Sequence, residues 1–156
     1  MIRIAAFATA FSLAFVAAAH ADVSREWREY AAAVKADCAA FRATLADPLA
    51  NAPILKDWNR VSWPYAPARP HICIFLRFDL DADGAPLNAE AAHIAPDNIA
   101  YRFKREAMLT LKDMSFELSE ATPDGFQGMW IEVKYDACGP RLKHRCIGIS
   151  APRRPE

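Results

Sequence analysis

The chain has 156 residues, with 19 Lys+Arg, 19 Asp+Glu and four His, so it carries no formal net charge. That balance gives no electrostatic case for bulk nucleic-acid binding, and the length sets an expectation of one domain with a sizeable core. Five glycines are too few for a phosphate-cradling loop in addition to the turns assigned below, so no nucleotide or other cofactor is expected.

Residues 1–21 read as a secretory signal peptide. Arg3 gives a positive start, residues 4–19 are apolar or small, and Ala19-His20-Ala21 is a small-x-small cleavage site. The run is short and Ala-rich beside the ~20 residues of a spanning helix. Cleavage before Asp22 is therefore expected rather than a retained anchor, with no membrane insertion afterwards. The mature chain then keeps about 135 residues. It has one basic residue fewer than the 19 of the whole chain against 19 acidic ones, a net charge of −1. All four cysteines (Cys38, Cys73, Cys138, Cys146) lie in the exported part. An even count in an oxidising compartment reads as two disulfides, for which three connectivities exist.

Residues 24–46 show a helical stripe of Trp27, Tyr30, Ala31, Val34, Cys38, Phe41 and Leu45, with Ser24 as N-cap and Pro48 as the stop. Arg28, Lys35 and Arg42 face away from the stripe. Residues 47–70 hold Pro48, Pro53, Pro64, Pro67 and Pro70, which argue for ordered coil without a regular element. Trp58, Trp63 and Tyr65 would pack that coil onto the body.

Residues 71–80 form the first clear strand. Ile72, Ile74, Leu76, Phe78 and Leu80 make a wholly apolar face, the core face. The opposite face begins with His71, Cys73 and Phe75 and turns polar at Arg77 and Asp79, so its start also needs a cover. The N-terminal helix is the expected cover and Cys38–Cys73 the expected staple, which predicts a sheet with a helix on each side.

Asp81-Ala82-Asp83-Gly84 supplies hairpin-turn chemistry. A weaker strand follows over 85–94. Pro96 and Asp97 open a second helix with Ile99, Phe103, Ala107 and Leu111 at four-residue steps, and with Arg102, Lys104, Arg105 and Lys112 outward. Residues 114–118 are short and extended, and Thr122-Pro123-Asp124-Gly125 is a turn. Residues 126–136 alternate Met129, Ile131, Val133 and Tyr135 with Trp130, Glu132, Lys134 and Asp136 as a strand. The Gly139-Pro140 loop between Cys138 and Cys146 suits a disulfide-tied tip, hence a Cys138–Cys146 pairing, and Ile147 and Ile149 continue a last short strand.

Two metal-like patterns occur in the sequence. Asp79, Asp81, Asp83, Gly84 and Glu90 fit the calcium-loop spacing D-x-D-x-D-G-x5-E. The flanks, however, read as strands, Pro86 stands where the loop has a branched aliphatic residue, and Glu90 falls on the outgoing strand. A hairpin corner is the expectation and a calcium-binding module the alternative. His71 and His144 each precede a cysteine by two positions, without CxxC spacing or a helical His pair, so no zinc site is assigned. No Ser/His/Asp or Cys/His constellation, GxSxG or HExxH is present. The protein is expected not to be an enzyme. A small periplasmic enzyme using distant acid pairs is a further alternative.

Taken in order, residues 74–135 resemble the C-terminal domain of TonB-family energy transducers. The resemblance rests on Phe78–Gly84 at the first hairpin, Arg105-Glu106-Ala107-Met108 in the helix, Phe116 just past it, and Asp124-Gly125 before the strand 129–135. Tyr65-Ala66-Pro67-Ala68-Arg69 is loosely similar to the family's Tyr-Pro-x-x-Ala lead-in. The resemblance covers about 60 residues. Family members carry a membrane anchor and a long Pro-rich spacer. Here the leader looks cleavable and 47–70 is too short to bridge two membranes, so a freestanding periplasmic version is expected rather than an energy transducer.

The expected fold is α+β: a small, mostly antiparallel sheet with a helix after the first hairpin, an added N-terminal helix over the other face, and two disulfides. The organisation is 1–21 signal peptide, 22–70 helix and Pro-rich coil, and 71–156 the TonB C-terminal-like domain. The resemblance implies that the partner is an envelope protein or peptide, such as an outer-membrane receptor segment. It would add a strand at the edge near 128–136, where Gly128, Trp130, Glu132 and Lys134 would give selectivity.

Overall fold

The computed structural model describes residues 7–47, 49–58, 63–64, 71–97, 100–138 and 144–152. The chain is α+β, with two helices and two antiparallel sheets among these residues. Helix α1 spans Phe7–Arg42, and strand β1 spans Ile54–Trp58. Strands β2 (Ile72–Leu80) and β3 (Pro86–Ala95) form the first hairpin. Helix α2 (Ala100–Lys112) follows, then β4 (Met114–Glu117), β5 (Phe126–Cys138) and β6 (His144–Ser150). The main sheet has the order β3-β2-β5-β6, and a two-stranded sheet pairs β1 with β4.

The alternating pattern of β2 sorts its side chains as expected. Ile72, Ile74, Leu76, Phe78 and Leu80 join Phe103, Ala107 and Leu111 of α2 and Met129, Ile131, Val133 and Tyr135 of β5 in the main core. Large apolar side chains buried in this way contribute roughly 1.5–3 kcal/mol each. On the other face Cys73, Phe75 and Trp130 pack against Val34 and Cys38 of α1, with Tyr30, Phe41 and Leu45 beside them. The sheet thus has a helix on each side. The staple is Cys38–Cys73, with a Cα–Cα distance of 6.3 Å. It is the one bridge whose two ends are both described. Cys146 is also disulfide-bonded, but the Cys138 side chain lies outside the described residues, so one complete bridge is seen and not two.

Three sequence expectations need correction. First, α1 begins at Phe7, inside the expected leader, so the helix does not start at Ser24. An Ala-rich leader is itself a good helix former, so nothing breaks the backbone between it and the amphipathic stripe. The helix ends at Arg42 rather than 46: Thr44 N–H donates to Phe41 O at 2.9 Å, and the Thr44 hydroxyl donates to the same carbonyl at 2.7 Å. Second, 47–70 is not without regular structure. Ile54–Trp58 forms β1, in register with β4 from Ile54↔Glu117 to Trp58↔Met114. Prolines forbid ladder bonds only at their own nitrogens, and the window between Pro53 and Pro64 contains none. Third, β5 is interior to the sheet from Glu132 onward, as developed below.

The corner at 81–84 is built as a hairpin turn. Asp81 Oδ1 accepts from Asp83 N–H at 3.0 Å and Ala85 N–H at 2.8 Å, and Gly84 N–H donates to Asp81 O at 3.0 Å. Gly84 has φ +75°, and a Cβ there would stand 2.1 Å from the carbonyl oxygen of Phe116. Only glycine lets the corner lie against β4, where Phe116 N–H donates to Gly84 O at 3.3 Å.

Candidate functional site

The expected docking strand lies one position too far inside the sheet. Residues Glu132 to Cys138 of β5 pair with β6, from Glu132↔Ser150 to Cys138↔His144, while the opposite side of β5 pairs with β2. The four residues expected to read a partner there have other surroundings. Gly128 N–H donates to Asp79 Oδ1 at 3.0 Å. Trp130 is buried under α1 and its Nε1–H donates to Ala46 O at 3.0 Å. Glu132 is 0 % exposed, and the Lys134 side chain is about one-third exposed. The expected edge is therefore covered by β6 from Glu132 onward, while 128–131 has no second strand partner among the described residues, and the outer strands of the sheet are β3 and β6.

These two edges differ. β3 starts at Pro86, carries two register shifts against β2, and holds Asn88 at φ 52°. Proline, bulges and local twist are the devices that blunt an edge against further pairing. β6 stays in continuous register with β5 over its whole length and contains no proline. Ile147 lies opposite Tyr135 and Ile149 opposite Val133, so both sit on the face of the main core, while Cys146 and Gly148 belong to the other face and are exposed.

The calcium-pattern acids do not converge. Asp79 accepts from Gly128 N–H and from the Asn88 side-chain amide at 3.1 Å, and these bonds, the Gly128 bond first, hold its carboxyl below the usual range. Asp81 is engaged by its own turn. Glu90 runs out along β3, opposite Arg77. Among the described residues no group of three or more His, Cys, Asp and Glu side chains is placed to hold a metal ion.

Polar chemistry collects elsewhere, between α1 and the β2–β5 face. A cleft of about 210 Å³ is lined by Lys35, Cys38 and Arg42 of α1, by His71 and Cys73, and by Glu132, Lys134 and Asp136 of β5. Helical spacing puts Lys35, Cys38 and Arg42 on one face, and strand alternation puts Glu132, Lys134 and Asp136 on another. The Cys38–Cys73 bridge sets their registry. Arg42 forms an ion pair with Glu132, and Lys134 Nζ lies 3.5 Å from Glu132 Oε2. His71 Nδ1 pairs with Asp136. Burial lowers the His71 pKa, opposed by Asp136 and reinforced by Lys35 and Lys134, so its imidazole is neutral at pH 7. Burial, then the neighbouring Arg42, lowers the Lys134 pKa. Further along, His93 lies 3.3 Å from Asp37 of α1 and stacks on Phe41 with ring centroids 4.4 Å apart.

Sequence reasoning set Lys35 and Arg42 outward and missed this cluster. The signal was present: with Cys38 over Cys73, a basic residue one turn later must come down beside the strand next to β2, where Glu132 needs a partner.

No protein-family model matches this chain, and no curated protein is similar to it. No helix among the described residues is long and apolar enough to cross a membrane.

Proposed function

We propose that this chain is an exported, periplasmic protein-interaction domain that takes an extended segment of another envelope protein as an extra strand on β6. The observation that carries this reading is the contrast between the two sheet edges. β3 is broken by bulges and opens on a proline, whereas β6 is regular and proline-free. An unblunted edge offers a row of backbone donors and acceptors, and side-chain alternation adds selectivity. The favoured partner segment alternates apolar and polar residues. Its apolar side would continue the row of Ile147 and Ile149, and its polar side would follow Cys146 and Gly148. The sequence resemblance to the TonB C-terminal domain points to the same mode of binding, on a neighbouring strand. The reading is of a binding domain, not an enzyme or an energy transducer, and it uses no cofactor. A second bridge, Cys138–Cys146, belongs to it, because Cys146 is disulfide-bonded and would then hold the start of β6 against the end of β5.

The test is a titration of the isotopically labelled protein with a synthetic peptide from the N-terminal segment of an outer-membrane receptor. Amide shifts concentrated on residues 144–150 are expected. Shifts confined to β3, or none at millimolar peptide, would overturn the assignment. Non-reducing peptide mapping checks the second bridge.

A further inference from the structure

We propose that the outer face of α2 adsorbs to an anionic lipid surface, through Arg102, Arg105 and Lys112 around Tyr101 and Leu109.

Helical geometry places the five together. Counted around the helix from Tyr101, Lys112, Arg105, Leu109 and Arg102 stand at about 20°, 40°, 80° and 100°. They form one stripe, and all five are exposed. Phe103, Ala107, Thr110 and Leu111 are buried on the opposite side, towards the core. Lys104 is exposed on the flank of the stripe.

Two observations separate this face from an ordinary solvated one. The first is apolar. Tyr101 is 80 % exposed, the most open large hydrophobic side chain among the described residues, and Leu109 is 45 % exposed. The second is charge. The whole chain has no formal net charge, yet the stripe carries three cations and no acid. Glu106, the one acidic residue of α2, lies off the stripe and is partly buried. None of the α2 cations makes an ion pair among the described residues.

Shape selects the partner. A helix ridge offers a peptide neither a groove nor free backbone groups, whereas a flat charged surface meets the whole stripe at once. Each Lys or Arg brought to an anionic membrane strengthens adsorption about fivefold. Tyrosine suits the headgroup level, with its ring inward and its hydroxyl wet. The long basic side chains reach past Leu109 to the lipid phosphates. The core already takes the strongly apolar face of α2, so the contact is peripheral and nothing crosses the bilayer. Because α2 packs on β3 and β2, the β6 edge stays at the far side of the sheet. The inference therefore goes beyond strand docking and does not rest on it.

The experiment is co-sedimentation of the full chain, as recovered after export, with two vesicle types. One is phosphatidylcholine alone, the other an equal mixture with phosphatidylglycerol. Binding to the mixed vesicles is expected to be at least about tenfold tighter, and to weaken about tenfold between low salt and physiological salt. Arg105→Glu with Lys112→Glu is expected to weaken it about a hundredfold with an unchanged circular-dichroism spectrum. Tyr101→Ser is expected to weaken it about threefold. The same charge reversal on α1, Arg25→Glu with Arg28→Glu, is expected to leave binding unchanged. Any adsorption through the leader would ignore both lipid charge and the α2 variants. No binding to the mixed vesicles at low salt overturns the proposal, as does equal binding to both types. Equal loss in the α1 and α2 variants overturns it in favour of bulk charge. Polyglutamate binding as tight as vesicle binding, with Tyr101→Ser silent, overturns it in favour of an acidic protein partner. Peptide docking is read separately, from the amides of 144–150.

Discussion

Replacing Cys38 and Cys73 together by alanine removes the one covalent link between α1 and the sheet. The bridge joins positions separated by 35 residues. For a loop of that length, the chain-entropy relation gives about 13 cal/mol/K, or about 4 kcal/mol at 25 °C. In a domain of this size that corresponds to a fall in Tm of roughly 10–15 °C. The loss should also be uneven. Apart from the bridge, α1 and the turn that follows it are held by Val34, Phe41 and Leu45, by the Trp130–Ala46 hydrogen bond and by Arg42–Glu132. β2 and β5 keep their ladder and the α2 face without it. Urea unfolding of the double variant reads the total, and amide exchange reads its distribution. Exchange is expected to quicken over 25–45 and stay slow in β2 and β5. A loss under about 1 kcal/mol would refute the entropic account and assign the attachment of α1 to packing alone. Uniform acceleration would refute the separation of the two faces.

Gly84→Ala is expected to cost about 3 kcal/mol, because the Cβ meets the Phe116 carbonyl and φ is positive; thermal melts measure it. Glu132→Ala leaves the Arg42 guanidinium and nearby Lys134 without their carboxylate. A loss of about 3 kcal/mol is expected, at the lower end for a broken buried pair because Arg42 is partly exposed, and Glu132→Gln should cost less. The Asp79 carboxyl titrates lower in the folded chain than in the unfolded one. Its stabilisation is therefore complete above the unfolded pKa and lost as pH falls through the folded one. Asp79→Asn should be less stable at pH 7, with the difference closing towards pH 2 in urea titrations. His71 also titrates lower when folded, facing Asp136, Lys35 and Lys134. The unfolded chain thus binds the proton first, and stability declines as pH drops below about 6.5 towards the folded pKa. His71→Gln should flatten that part of the stability profile.

Much of the fold was legible because β2 is patterned on both faces. Its core face announced the sheet, and the apolar start of its other face demanded a cover, which α1 supplies through Cys38. The Asp81–Gly84 corner and α2 were readable for the same local reason: turn chemistry and four-residue spacing act within a few residues. What was not legible depends on remote partners. β1 exists because β4 arrives to pair with it, and no local pattern in a proline-rich stretch reports that. β5 is the edge that the family resemblance implies, and it becomes interior from Glu132 onward only because β6 returns along it. The cleft has the same cause. Alternation fixes which face Glu132 is on, but not that Arg42 comes down over it.

The small β1–β4 sheet has a consequence for how the chain acquires its shape. Ile54 meets Glu117, roughly sixty positions further along, one of the longer closures in the molecule. A ribosome delivers β1 well before its partner. Until α2 and β4 have formed, Ile54 and Trp58, both still well exposed in the finished fold, belong to an unpaired apolar segment. β1 is therefore expected to pair late in folding although it is early in synthesis, and a chain halted before β4 would leave Ile54 and Trp58 as a target for holding chaperones and proteases.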